Sequence, residues 1–386
     1  MIEKMFVDAA RAAGALSLAI WVWLALFRGH FWRLRERLDT PASPPSRPAR
    51  VTAIIPARDE EDTIGHTVAS LRGQQFPGTL RVIVADDESA DRTFDCARTA
   101  GASHVVAVAP RPAGWKGKLW AVATGLVSES SSAEGGPPDF FLLTDADIAY
   151  NAPGILAALI GKAESDFDLV SVMVRLQTES PAEKFLIPAF VFFFFKLYPP
   201  AWVSSGRTAA AAGGCMLIRA EALARAGGIE SIRDALIDDC ALAARVRATG
   251  GRVWLGITAL DLTSIRSYGA TGEIRAMISR AAFAQLDHSA LLLAGTTVGL
   301  LLTYVIPVML PLTGDLASAL FGIAAWLLGA ALFLPSVREY RAPQWTAFCL
   351  PAIALFYLAA TLESAWLYWT GRGGRWKGRA QDAPGS

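Results

Sequence analysis

The chain begins with an apolar stretch, "AAGALSLAIWVWLALF" (12 to 27), which Phe6 and Val7 extend toward the N-terminus. Its length suits a membrane-spanning helix. A cleaved leader is the alternative, but no small-residue cleavage site follows, and the next residues are "RGHFWRLRER". From 51 to about 286 short apolar runs alternate with amphipathic segments. The runs "VTAIIPA" (51 to 57), "LRVIVAD" (80 to 86), "HVVAV" (104 to 108), "FFLLT" (140 to 144) and "DLVSVMV" (168 to 174) predict strands. Between them "EEDTIGHTVASLRG", "ADRTFDCARTAG" and "KLWAVATGLVSE" place apolar residues at the three and four spacing of helices. Alternating strand and helix predicts an α/β domain built on a mainly parallel, doubly wound sheet. From 290 the chain is apolar again, in three stretches (290 to 312, 316 to 335 and 346 to 369) that are each long enough to span.

These changes of pattern divide the chain into an anchor with a basic flank (1 to 38), a proline-rich linker (39 to 50), the α/β domain (51 to 286), membrane segments (287 to 370) and a basic tail (371 to 386). Pro41, Pro44, Pro45 and Pro48 favour an extended linker. "SESSSAEGGPP" (128 to 138) is expected to be a surface loop. Arg28, Arg33, Arg35 and Arg37 put the α/β domain in the cytosol. Three full C-terminal crossings would then leave Arg372, Arg375, Lys377 and Arg379 outside, against the same charge rule. Pro351 and Glu363 mark the last segment as the one to doubt, with Glu363 read as an interfacial position near a helix end. Within the α/β region, "EKFLIPAFVFFFFKLYPPAW" (183 to 202) suits a helix lying in the membrane interface, and an ordinary core helix is the alternative.

Composition agrees with this pattern. Of 386 residues 53% are hydrophobic and 18% charged, which fits an integral membrane protein, and a bacterial-type cytoplasmic membrane is its expected place. A net charge of +1 speaks against a nucleic-acid partner. Cys96, Cys215, Cys240 and Cys349 have neither disulfide-like nor zinc-like spacing. His30, His66, His104 and His288 neighbour no nucleophile constellation, and no Walker A, Gly-Xaa-Ser-Xaa-Gly or dinucleotide glycine motif occurs.

Four clusters fall near expected strand ends, where open α/β sheets bind ligands. Asp86 and Asp87 can accept hydrogen bonds from a nucleobase or ribose, or sit in a turn whose Ser89 and Asp91 cap the next helix. Asp145 and Asp147, in "TDADI", point to one side and can bind a hard divalent cation shared with substrate phosphates; a solvated turn is the alternative. Asp238 and Asp239 open an amphipathic helix, where its dipole favours carboxylates or where one of them serves as general base. Lys116 and Lys118, in "GWKGKLW", suit phosphate contact or simply a solvated loop.

Taken in order, "TAIIPARDEEDTI", "VIVADDESADRT", "LLTDADI", "AAGGCMLIRAEALARAGG" and "IDDCALAARVRATG" resemble the successive motifs of family-2 glycosyltransferases of GT-A fold. Within that family the chain is most similar to the hopanoid-associated glycosyltransferases and more distantly to ceramide glucosyltransferases, through its single N-terminal anchor, "EIRAMISRAAFAQL" and the closing "WTGRGGRWKGR". The resemblance implies a nucleotide-sugar donor, a UDP-sugar by preference, and a lipid acceptor. It places Pro56, Arg58, Glu60, Asp86 and Asp87 in the nucleotide pocket. Asp145 and Asp147 become an Asp-Xaa-Asp motif for Mg or Mn, Asp239 the catalytic base and Asp238 its neighbour where glutamate is usual. Lys116, Lys118 and Arg280 fall on the donor phosphates, and Gly213, Gly214 and Cys215 on the acceptor side. Where processive relatives carry Gln-Xaa-Xaa-Arg-Trp this chain reads "MISRA" (277 to 281), which disfavours polymer synthesis.

Overall fold

The computed structural model describes residues 1–39, 45–131, 136–373, 375–376 and 379–380. Pro41 and Pro44 of the linker, residues 132–135 of the surface loop and Lys377 of the tail lie outside the described residues. Two compact units divide the chain. One is assembled from Met1–Leu34, Thr178–Pro199 and Ser267–Gly374, the other on Arg35–Gln177 and Pro200–Arg266.

Between Arg35 and Arg266 the described residues form ten strands: β1 (Arg37–Leu38), β2 (Ala49–Ala57), β3 (Gly78–Asp86), β4 (His104–Ala107), β5 (Phe140–Thr144), β6 (Ile148–Tyr150), β7 (Leu169–Val172), β8 (Cys215–Arg219), β9 (Val253–Thr258) and β10 (Leu262–Ser264). Eight of them form one sheet in the order β1-β9-β7-β8-β5-β2-β3-β4. Only β8 runs antiparallel to its neighbours, β5 and β7. The central strands are buried on both faces, with Ile54, Ile55, Val82, Val84, Leu142 and Leu217 fully inside, which is why they read as continuous apolar runs. β3 starts against β2 at Gly78, whose φ is +141° and where a Cβ would lie 1.9 Å from Ala49 O. Glycine is therefore required at that close approach.

All five expected strands form, β2 and β3 each starting two residues earlier than its apolar run. The expected helices also form, over Ile64–Arg72, Thr93–Thr99, Gly117–Ser131 and Asp238–Ala248. β1, β6 and β10 have only two or three residues, too few to carry a readable period. β6 and β10 make a separate antiparallel pair in the register Ile148↔Ser264 and Tyr150↔Leu262.

The first unit is helical. Ile2–Phe27 packs on Leu316–Glu339 through small residues: a Cβ at Gly329 would meet Trp21 Cζ2 at 2.8 Å, and one at Gly14 would meet Phe321 Cβ at 2.8 Å. Trp21 Nε1 donates to Thr303 O (2.9 Å). Among the described residues five helices are long and apolar enough to cross a membrane: Ile2–Phe27, Pro181–Ser204, Ala290–Thr313, Leu316–Glu339 and Gln344–Trp369. The helix Pro181–Leu197 buries Phe192 and Phe195, with the Phe192 ring 5.2 Å from that of Phe333. Strand β7 before this segment and β8 after it pair in one sheet, so the segment enters and leaves on the same side of any bilayer. Glu363 is not isolated: Arg275 Nε lies 3.2 Å from its Oε2.

Candidate active site

Parallel strands bring the loops after β2, β3 and β5 to one edge of the sheet in the second unit. At the end of β2, Arg58 Nη1 donates to Asp87 O and lies 3.6 Å from the Asp87 carboxylate, which is almost completely buried. Asp59 and Glu88 hold left-handed backbones in the two loops (φ +49° and +54°), a conformation uncommon for these residues. The loops interlock to hold it: Asp59 N donates to Ser89 Oγ (3.0 Å) and Ala90 N to Asp59 Oδ1 (2.8 Å). Ser89 Oγ also donates to Asp86 Oδ1. Burial raises the Asp86 carboxyl above its ordinary value, and the Ser89 bond offsets part of that rise. Asp91 takes the capping role, accepting from Thr93 N at 2.9 Å.

Lys118, on the helix Gly117–Ser131, joins the other clusters. Its Nζ lies 2.9 Å from Asp145 Oδ1 and 3.2 Å from Asp238 Oδ2. Burial alone would push this ammonium down, but Asp145, Asp238 and Asp239 together hold it above the ordinary lysine value. The two oxygens of Asp239 accept main-chain bonds, from Gly213 N (2.8 Å) and Cys240 N (2.7 Å). Burial, and then the neighbouring charge of Asp238, push the Asp239 carboxyl up to about 6. A cavity lined by Pro56, Lys118, Asp145, Gly213 and Asp238 opens beside this group. At its rim, a Cβ on Gly213 would press on the Asp239 carboxylate, 3.3 Å from Oδ2, and touch Lys118 Nζ at 3.4 Å. Cys215 pairs with Thr144 across β8 and β5, and Thr144 Oγ1 donates to Gly214 O (2.7 Å). Tyr150 Oη donates in turn to Thr144 Oγ1 (3.0 Å), tying the Asp145 turn to the glycine loop.

Arg266 joins the cluster without having been singled out in the sequence. The β6–β10 register carries it to Asp147: Ile265 N donates to Asp147 O (2.8 Å), Arg266 Nε to Asp147 Oδ2 (3.2 Å), and Arg266 Nη2 to Glu60 Oε1 (2.6 Å). Ser264 Oγ also donates to Asp147 Oδ2 (3.0 Å). Burial, and next the charge of Asp145, raise the Asp147 carboxyl, while Arg266 pulls it down. An isolated arginine after a three-residue strand gives no local signal, because its partners lie 119 and 206 positions away. Lys116 joins the site region through its main chain, its N–H donating to Arg233 O (2.8 Å). Arg280, at the end of the helix Thr271–Ser279, belongs to the first unit rather than to the one holding this cluster.

Asp145 and Asp147 offer hard oxygen donors to a divalent cation. Among the described residues no group of three or more His, Cys, Asp or Glu is placed to hold a metal. The protein would therefore supply a minority of the ligands and leave the rest to substrate phosphates and water, as Mg2+ accepts. Charge is compatible with that fit: Glu60, Asp145, Asp147, Asp238 and Asp239 outnumber Lys118 and Arg266, so a cation held here would offset part of the surplus negative charge.

The profile of the glycosyltransferase like family 2 matches residues 48–263, more than half of the chain. The chain belongs to this family. A mannosyltransferase from Pyrobaculum calidifontis, solved in complex with GDP-Man and Mn2+, aligns with a TM-score of 0.52 at 20% identity, covering 92% of this chain and 99% of that one. This likeness establishes the GT-A fold for the family-2 member described here. The 4,4'-diaponeurosporenoate glycosyltransferases of Staphylococcus aureus strains MRSA252 and USA300 are 35% and 34% identical over 112 residues. Those alignments cover 29% of this chain and 28% of the relatives' length.

Proposed function

We propose that this family-2 protein is a membrane-bound glycosyltransferase. It transfers a sugar from a nucleotide-sugar, a UDP-sugar by preference, to a lipid acceptor of hopanoid or related polyisoprenoid type, with a divalent cation and with inversion at the anomeric carbon. The observation that carries this reading is the Lys118 bridge between Asp145 and Asp238, which brings donor-side and acceptor-side carboxylates to one cavity. Asp239 acts as general base and removes the proton of an acceptor hydroxyl. The acceptor oxygen attacks the anomeric carbon as its bond to the diphosphate breaks, so the nucleoside diphosphate leaves and the sugar ends on the acceptor with inverted configuration. Lys118 and Arg266 contribute positive charge beside the departing group. A bound Mg2+ or Mn2+ supplies further charge stabilisation of that leaving group. Asp86, Asp87, Arg58 and Glu60 hold the nucleoside, with Pro56 at the cavity wall and Lys116 toward the phosphates. Gly213, Gly214 and Cys215 form the acceptor side.

The apolar helices support a membrane-embedded acceptor, and Arg28, Arg33, Arg35 and Arg37 support a cytosolic sheet-bearing unit at the cytoplasmic membrane. A second reading, a carotenoid acid as acceptor, is favoured by the name of the staphylococcal relatives. Deleting the gene and comparing lipid extracts by mass spectrometry separates the two, since a hexose-bearing hopanoid-type or carotenoid-type species should disappear. The purified full-length chain should transfer or hydrolyse a UDP-sugar, lose this activity in EDTA and regain it with Mn2+ or Mg2+. An unchanged lipid profile together with inertness toward nucleotide-sugars would identify a non-catalytic scaffold instead.

A further inference from the structure

Each carboxylate of the Asp145–Asp147 pair is already held by a cation of the chain, Lys118 on the first and Arg266 on the second. A divalent cation that binds both carboxylates must compete with these two side chains, and they differ in how readily they give way. Lys118 is shared between Asp145 at 2.9 Å and Asp238 at 3.2 Å, with 22% of its side chain exposed. Arg266 is 36% exposed; its Nε lies 3.2 Å from Asp147, while its other arm holds Glu60 at 2.6 Å. Releasing Asp147 therefore leaves the guanidinium seated on Glu60 and partly in water, and leaves Asp147 its bond from Ser264. Opening the Arg266–Asp147 contact costs less than stripping Lys118, because it abandons one long, half-solvated arm.

We propose that Arg266 is a positioning residue that competes with the divalent cation for Asp147, so that cation entry requires the Arg266–Asp147 pair to open. This rests on the metal-dependent function proposed for the same site. A planar guanidinium suits the role, since its rigid fork sets Nε on Asp147 and a different nitrogen, Nη2, on Glu60, so that one arm lets go while the other holds. The cation then binds weakly to the nucleotide-free protein, and a diphosphate that brings its own oxygen ligands shifts the balance.

The test is Mn2+ binding to the full-length protein in detergent, followed by electron paramagnetic resonance of free Mn2+, without and with UDP. Arg266→Lys keeps the charge but loses the fork, and should bind Mn2+ roughly threefold more tightly than the native protein in the absence of UDP. Arg266→Gln should tighten it at least as much. Equal Mn2+ affinity for the native and Arg266→Lys proteins, with both binding Mn2+ in the presence of UDP and melting alike, overturns the proposal and leaves the metal reading standing. Failure of the native protein to bind Mn2+ even with UDP overturns the metal reading itself, and the proposal with it.

Discussion

Asp239 combines two properties that pull against each other. It is buried with both oxygens bonded to main-chain N–H groups, yet the proposed chemistry asks it to take a proton. Its carboxyl sits near 6, so the base is deprotonated only above that pH, and kcat/KM should fall about tenfold per pH unit below it, as a pH–rate profile will read. The stability sign is opposite to that of a salt-bridged aspartate. Between an unfolded value of about 3.9 and the folded one near 6, the folded state binds the extra proton, so Asp239's contribution to stability declines as pH rises through that window. Asp239→Asn should abolish transfer while UDP binding, measured by calorimetry, persists. The amide can accept at one atom only and leaves one N–H facing its NH2, which should also cost about 1–3 kcal/mol, seen as a lower Tm. Asp145, Asp147, Asp238 and Asp239 were all legible in the sequence as candidate ligands or bases. That Asp239 is pinned by Gly213 and Cys240 was not, because those bonds depend on where the glycine loop returns.

At the scale of elements, the long strands were readable and the short ones were not. β2, β3 and β5 are buried on both faces, so burial wrote their boundaries into apolar runs. β6 and β10 have three residues each and exist because Ile148 pairs with Ser264. They decide where Arg266 goes, which explains why the arginine leaves no mark in the local pattern. The start of β3 lies against β2 with no room for a side chain at Gly78. Gly78→Ala puts a Cβ against Ala49 O in a backbone region side chains avoid, and should destabilise the protein by more than about 3 kcal/mol in a detergent melt. A Tm within a degree of the native value would contradict that account.

On the scale of the whole molecule, the apolar segments divide by their flanking strands. Ile2–Phe27 precedes the first strand, and the helices from Ala290 onward come after the last strand of the main sheet and of the β6–β10 pair, so any of them can cross without cutting either. Pro181–Ser204 cannot cross once, whatever its hydropathy, because β7 and β8 on its two sides share a sheet. The chain should therefore remain in the membrane pellet after an alkaline carbonate wash and leave it only with detergent. Release by carbonate alone would show that no segment spans.

What the sequence by itself determined is whatever depends on nearest neighbours along the chain. Apolar runs set the strands and the candidate spans, and acidic residues at the ends of those runs marked out a candidate site. Tertiary structure decided which charges meet: Lys118 between Asp145 and Asp238, and Arg266 between Asp147 and Glu60. It also decided that Pro181–Ser204 returns to the side from which it came. The physical reason is the same in each case. Burial leaves its mark on every residue it covers, whereas an ion pair or a strand pairing between distant segments leaves no periodic trace in either.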